Sequence, residues 1–225
     1  KYINKSLEIK PDYYEALLEK ATVLEISGNT EKAIKTLNTC INNDLCSLRP
    51  EAYYQLANIY KKQNDTKDYI QNLNMAVLYD RNFKVAKLDL AKAYIANNMC
   101  ADKNIEQKVI ALLEDQLDKN EALILKAKCY IEAKDFQKAK NIVKYILTNT
   151  NIKDIYKRKA IELSKLIVEK QYISNENSEP KNYISFANTS PRTAEKPATE
   201  KEPIKKTLPK TQKEANTSKP PQTQV

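Results

Sequence analysis

Alanine recurs at Ala21, Ala57, Ala91 and Ala127, in steps of 36, 34 and 36 residues. Three residues after each comes a larger side chain: Leu24, Tyr60, Tyr94 and Tyr130. A near-constant period of this length marks an array of helix pairs. One helix pair cannot bury its own apolar face, so the units must stack on one another. Stacking produces a long continuous surface, which suits holding another macromolecule better than enclosing a small substrate.

The rest of the composition agrees. There is one glycine, Gly28, and seven of the nine prolines lie from Pro180 onward. Sheet-rich domains need more turn glycines than this. Helices joined by short loops do not. Residues 1–171 mix apolar and charged side chains at helical spacing. Residues 172–225 are dominated by Lys, Glu, Pro, Thr, Ser, Asn and Gln. Such a segment buries too little apolar surface to offset its chain entropy, which predicts a disordered tail. The expected fold class is all-α.

In the first complete unit, Leu17, Ala21 and Leu24 share one helix face, and Ala33, Ile34, Leu37, Cys40 and Ile41 share the face of a second helix. Gly28 lies between them, just past a helix end, where left-handed backbone is common. Asn29 and Thr30 offer oxygens to cap the second helix. From Pro50 the pattern returns with Tyr53, Leu56, Ala57 and Tyr60; Asn64 stands in the place of Gly28 and Asp65 caps. A third unit from Lys84 carries Leu90, Ala91 and Tyr94, with Asn98 at the turn and two extra loop residues. A fourth, from about Asn120, carries Leu123, Ala127 and Tyr130, with Lys134 and Asp135 at the turn. The predicted boundaries are a partial unit at 1–13, units at about 14–49, 50–83, 84–119 and 120–152, and a closing helix at about 153–171. Tyr156, Ala160, Leu163 and Ile167 give that last helix one apolar stripe. The stretch Tyr2–Pro11 reads as the end of a second helix, so the chain is expected to open part-way through an earlier unit.

This order of large residue, small alanine, aromatic, turn, then alanine and leucine resembles the tetratricopeptide repeat family, over roughly residues 1–171. The resemblance implies a right-handed superhelical array of antiparallel helix pairs, a solenoid whose first helices line a concave face. Ala21, Ala57, Ala91 and Ala127 hold the family's first small site. The second is Ala33 and Ala139, but Tyr69 and Ile105 in the middle units. The third reads Cys40, Ala76, Leu112 and Ile146. Lys87 departs from the family's large residue in the third unit.

The family's inward positions carry over as three rows. The first is Leu18, Tyr54, Leu88 and Ile124. The second is Thr22, Asn58, Lys92 and Lys128. The third is Glu15, Glu51, Val85 and Glu121. The implied function is a non-enzymatic scaffold or adaptor that takes a peptide segment of another protein in the concave groove. The first two rows are the expected peptide-binding residues. Asn58 would bond the peptide backbone, and Lys92 and Lys128 would meet an acidic residue. The C-terminal carboxylate of an Hsp70 or Hsp90 chaperone is not the expected ligand. The positions of that clamp read Leu18, Thr22, Gln55, Val85 and Asp89 here, and Asp89 would repel a carboxylate.

Catalysis is not expected. The chain has no histidine for acid–base work near neutral pH and too few glycines for a phosphate loop. No cofactor and no metal site are expected, since the four cysteines form no C-x-x-C pair. Cys40 is expected in the core, with Cys46 and Cys100 in turns as exposed thiols. A disulfide framework is not expected, which would fit a reducing, cytoplasmic setting. No run of apolar residues is long enough to span a membrane.

The net charge of +9 is densest around Lys153, Lys157, Arg158, Lys159, Lys165 and Lys170. That suggests a basic flank rather than a basic groove, and argues against nucleic acid. Two alternatives remain open: a helical-repeat RNA reader, and a chaperone that shields an apolar client segment. The tail adds a terminal Thr223-Gln224-Val225, which resembles a PDZ-domain ligand. It also adds two glycosylation sequons, at Asn188 and Asn216.

Overall fold

The computed structural model describes residues 2–176. The tail expected beyond that point, with its terminal motif and its sequons, lies outside the described residues. Ten α-helices follow one another: α1 Tyr2–Ile9, α2 Tyr14–Ile26, α3 Thr30–Ile41, α4 Arg49–Lys62, α5 Thr66–Tyr79, α6 Lys84–Ala96, α7 Lys103–Leu112, α8 Lys119–Glu132, α9 Phe136–Thr148 and α10 Asp154–Glu176. A single 3-10 turn, Met99–Ala101, separates α6 from α7. No strand occurs among the described residues.

The pairs α2/α3, α4/α5, α6/α7 and α8/α9 are the four units. Helix α10 packs on α9 and α8, as a further first helix would. It runs five residues past the expected end of the closing helix.

One backbone device recurs at the turn within each unit. Gly28, Asn64, Asn98 and Lys134 have φ of 80, 60, 53 and 60°, so all four are left-handed. Asn29, Asp65 and Asp135, the residues that follow three of them, donate backbone N–H to the carbonyls of Leu24, Tyr60 and Tyr130 at 2.8, 3.0 and 2.8 Å. These bonds satisfy carbonyls that the helix end would otherwise orphan. The acceptors are three of the four large residues that follow the periodic alanines. The repeat therefore specifies both the tight packing and the stop signal.

Carboxylates then start the next helices. Asp65 accepts from the Asp68 N–H, Asp102 from Asn104 and Ile105, Asp118 from Asn120 and Glu121, and Asp135 from Lys138. Asn29 departs from expectation. It precedes α3 but makes no capping bond; its amide donates to the Ser27 hydroxyl instead, at 3.1 Å.

All four periodic alanines are buried, at 1% exposure or less. They let first and second helices approach closely, and Leu37, Leu73 and Leu90 fill the space beside them with no exposed surface. Each such leucine contributes about 1.5–3 kcal/mol through burial. Where Lys87 breaks the pattern, its half-buried side chain reaches Asp115 at 3.7 Å, so the missing apolar residue is replaced by an ion pair.

The cysteines overturn the sequence expectation. Cys46 and Cys100 are buried rather than exposed. Cys40 is bonded to Cys46, with Cα atoms 5.5 Å apart, and Cys100 to Cys129, at 5.3 Å. No thiol remains free. The turns that seemed open fold back over the core, which brings each turn cysteine against a helical one. The argument for a reducing compartment falls with this finding, because disulfides persist where the medium is oxidising.

Candidate functional site

The first helices carry the three predicted rows, and the structure places each residue. Leu18 and Ile124 lie in the core, at 8 and 4% exposure. Tyr54 and Leu88 are half-buried. The Tyr54 hydroxyl donates to Asp89 at 2.8 Å, and its ring packs on Phe83 with centroids 5.2 Å apart. Burial, aided by the Asp89 bond, pushes that hydroxyl up to about 12. Thr22 is exposed and turns its hydroxyl to its own helix, donating to the Leu18 carbonyl at 3.1 Å. Half-buried Asn58 lies close enough to Tyr54 to favour its phenolate.

In the outer rows, Glu15 and Val85 are exposed, and Glu51 is half-buried. Lys92 pairs with Glu121 at 2.7 Å, which joins α6 to α8 and occupies both charges. Lys128 is exposed and forms no ion pair among the described residues.

Lys128 belongs to a cleft that the sequence did not reveal. The cleft holds about 630 Å³ and lies between the C-terminal ends of α6, α8 and α10. Ile95, Ile131, Phe136, Leu166 and Ile173 make its apolar walls. Its polar groups include Lys128, Lys134, Lys170 and Glu132. One carboxylate oxygen of Glu132, Oε2, is buried without a partner. Burial raises the Glu132 pKa above the ordinary glutamate value; the Cys100 backbone N–H and the Lys128 ammonium act against that shift without cancelling it. The cleft can accept an apolar group, and it offers both an unmet acceptor and unpaired cations.

A signal for part of this was present in the sequence. Lys134 stands at the left-handed position that other units give to glycine or asparagine. The contribution of α10 had no such signal, because its apolar stripe predicts only where it packs.

The repeat geometry matches what comparison with known proteins shows. The tetratricopeptide repeat profile matches residues 14–45 and 50–83. Those two stretches are tetratricopeptide repeats. The repeats at α2/α3 and α4/α5 are thus recognised directly, and α6/α7 and α8/α9 are further packed helix pairs. Among solved structures, a tetratricopeptide repeat protein from Parabacteroides merdae ATCC 43184 is similar with a TM-score of 0.50. It is 13% identical, over 79% of this chain and 72% of that one. Residues 41 to the end of MamA from Desulfovibrio magneticus RS-1 give 0.49 at 11% identity, over 75 and 98%. A second MamA structure gives 0.45 at 17%, over 79 and 84%. No curated protein matches.

Tetratricopeptide repeats in general build scaffolds for protein–protein interaction, and the two matched repeats support that general role here. Among the described residues, no cluster of three or more His, Cys, Asp or Glu side chains could hold a metal ion. No described helix is long and apolar enough to cross a membrane.

Proposed function

We propose that the chain is an adaptor that holds an extended peptide segment of another protein along its first-helix face. The supporting observation is the cleft between α6, α8 and α10. At the C-terminal ends of these helices, apolar walls, unpaired cations and an unmet acceptor converge. Peptide recognition needs that combination: a pocket for one side chain, and polar groups that fix the backbone and register. The surface is preformed, so little binding energy is lost to ordering.

The reading is tested by hydrogen–deuterium exchange of the whole chain. The ligand is a peptide selected from a displayed random library. Protection is expected on α6, α8 and α10. Protection confined to α3, α5, α7 and α9 would refute the reading, as would failure of any peptide to bind. Leu88→Glu, in the middle of the face, is expected to abolish binding while the helical circular dichroism spectrum is retained.

A further inference from the structure

Resting on that reading, we infer that the α6/α8/α10 cleft selects one ligand chemistry: a large apolar side chain flanked by acidic residues, with a peptide N–H given to Glu132. Three observations support this independently.

The first is charge. Lys128, Lys134 and Lys170 border the cleft against one carboxylate, Glu132. None of the three lysines forms an ion pair among the described residues. The neighbouring carboxylates Glu106 and Asp135 are already taken, by Lys103 at 2.6 Å and Lys138 at 2.8 Å. The unpaired charge at the mouth of the cleft is therefore positive, and it favours an acidic segment over a basic one.

The second is the orphan oxygen. A buried acceptor without a donor is costly to the free protein, and most such groups are satisfied. Glu132 Oε2 has no donor, and the walls around it are mostly apolar. A small rotation of the Glu132 side chain would turn this oxygen into the cleft, where a peptide N–H would supply the missing bond and set the register of the ligand backbone.

The third is strain. Lys134 has φ of 60°. The matching positions in the other three units are Gly28, Asn64 and Asn98, residues that reach this backbone at lower cost. A lysine there destabilises the turn, yet its side chain lines the cleft. Strain held at a ligand-facing position points to a role for that side chain.

The two unfavourable features give the test its discriminating power. Lys134→Asn is expected to raise the melting temperature by about 2–4 °C and to weaken peptide binding several-fold. Glu132→Gln keeps the shape, removes the desolvated charge, and puts a donor where the ligand needs an acceptor. It is expected to melt no lower than the parent and to bind about tenfold more weakly. A merely structural role predicts the reverse: lower melting and unchanged binding.

The probe is a phage-displayed library of random peptides, panned on the full chain. The expected consensus is one Leu, Ile, Phe or Met among Asp and Glu, and it should be lost with Lys128→Glu/Lys170→Glu. A basic consensus, an apolar consensus without acidic residues, or equal enrichment by the double variant would overturn the inference. Peptides that lack the acidic signature but are lost with Leu88→Glu would leave the scaffold reading standing and sink this one. Enrichment of no peptide would sink both.

Discussion

The two disulfides close loops of very different length, and the difference can be measured. Cys100 and Cys129 are 29 residues apart in sequence, whereas Cys40 and Cys46 are only 6 apart. Cross-linking removes loop-closure entropy from the unfolded chain in proportion to the logarithm of loop length. That gives about 3.6 kcal/mol for the longer loop and about 2.2 kcal/mol for the shorter. The perturbation is Cys100→Ala/Cys129→Ala in one variant and Cys40→Ala/Cys46→Ala in the other. Each pair loses two sulfurs from sites at most 2% exposed. The packing losses therefore nearly cancel between variants, and a residual of about 1.4 kcal/mol reports loop length. Urea unfolding followed by circular dichroism reads it. With a slope near 2 kcal/mol per M, the midpoint falls by about 1.8 M for the long loop and about 1.1 M for the short one. The long bridge also joins the 3-10 turn after α6 to α8, so its loss should let α8–α10 unfold before the rest, as a second transition. Equal shifts, or a larger shift for the Cys40/Cys46 pair, would refute the entropic argument.

Other expectations are simpler to check. Gly28→Ala should cost about 1 kcal/mol in thermal melts, because φ is 80° although an added Cβ meets nothing within 4 Å; Gly28→Asn should cost less, since Asn64 and Asn98 hold the same backbone. Leu73→Ala, at a position with no exposed surface, should cost about 2–5 kcal/mol by chemical denaturation. The Tyr156 hydroxyl donates to Asp118 and holds its carboxyl below the usual aspartate range. Asp118 therefore contributes stability above its unfolded pKa and loses it as pH falls through the folded value; Tyr156→Phe should flatten that acid limb in melts taken across pH. Glu132 has the opposite sign: its folded pKa is raised, so the advantage of Glu132→Gln should be full above that folded pKa, shrink as pH falls through it, and vanish below the unfolded glutamate pKa, about 4.3.

The sequence showed the periodic alanines, the aromatics after them and the turn residues. It did so because close helix approach and left-handed backbone each admit few residue types. Packing of α10 against the fourth unit also followed from its apolar stripe. The disulfides did not. Cys46 and Cys100 looked like loop residues because the path of a turn is set by tertiary packing, which local pattern does not encode. The predicted rows were placed on the first helices, but pattern could not tell a ligand-facing leucine from a core one. Leu18 and Ile124 went inside, and Tyr54 turned to Asp89. The cleft was hidden for a further reason. It needs three helices distant in sequence, and it owes its chemistry to Glu132, a residue that alone looks like an ordinary solvated helix end.

The irregular features of the array coincide in space, which argues that they are one feature. The third unit departs most from the pattern. It has Ile105 where a small residue stands in the first and fourth units, a ten-residue α7, and a 3-10 turn in place of the usual connection. A stack loses cooperativity where an interface weakens, and the Cys100–Cys129 bridge spans that junction. The same turn supplies Asn98 and Ala101 to the cleft and brings the Cys100 N–H to the Glu132 carboxylate. Cys129 sits one helical turn before Glu132 on α8. The bridge thus restrains both sides of the orphan acceptor. The covalent bond therefore ties the irregular turn to α8 beside the cleft, where the third unit's packing departs from the repeat.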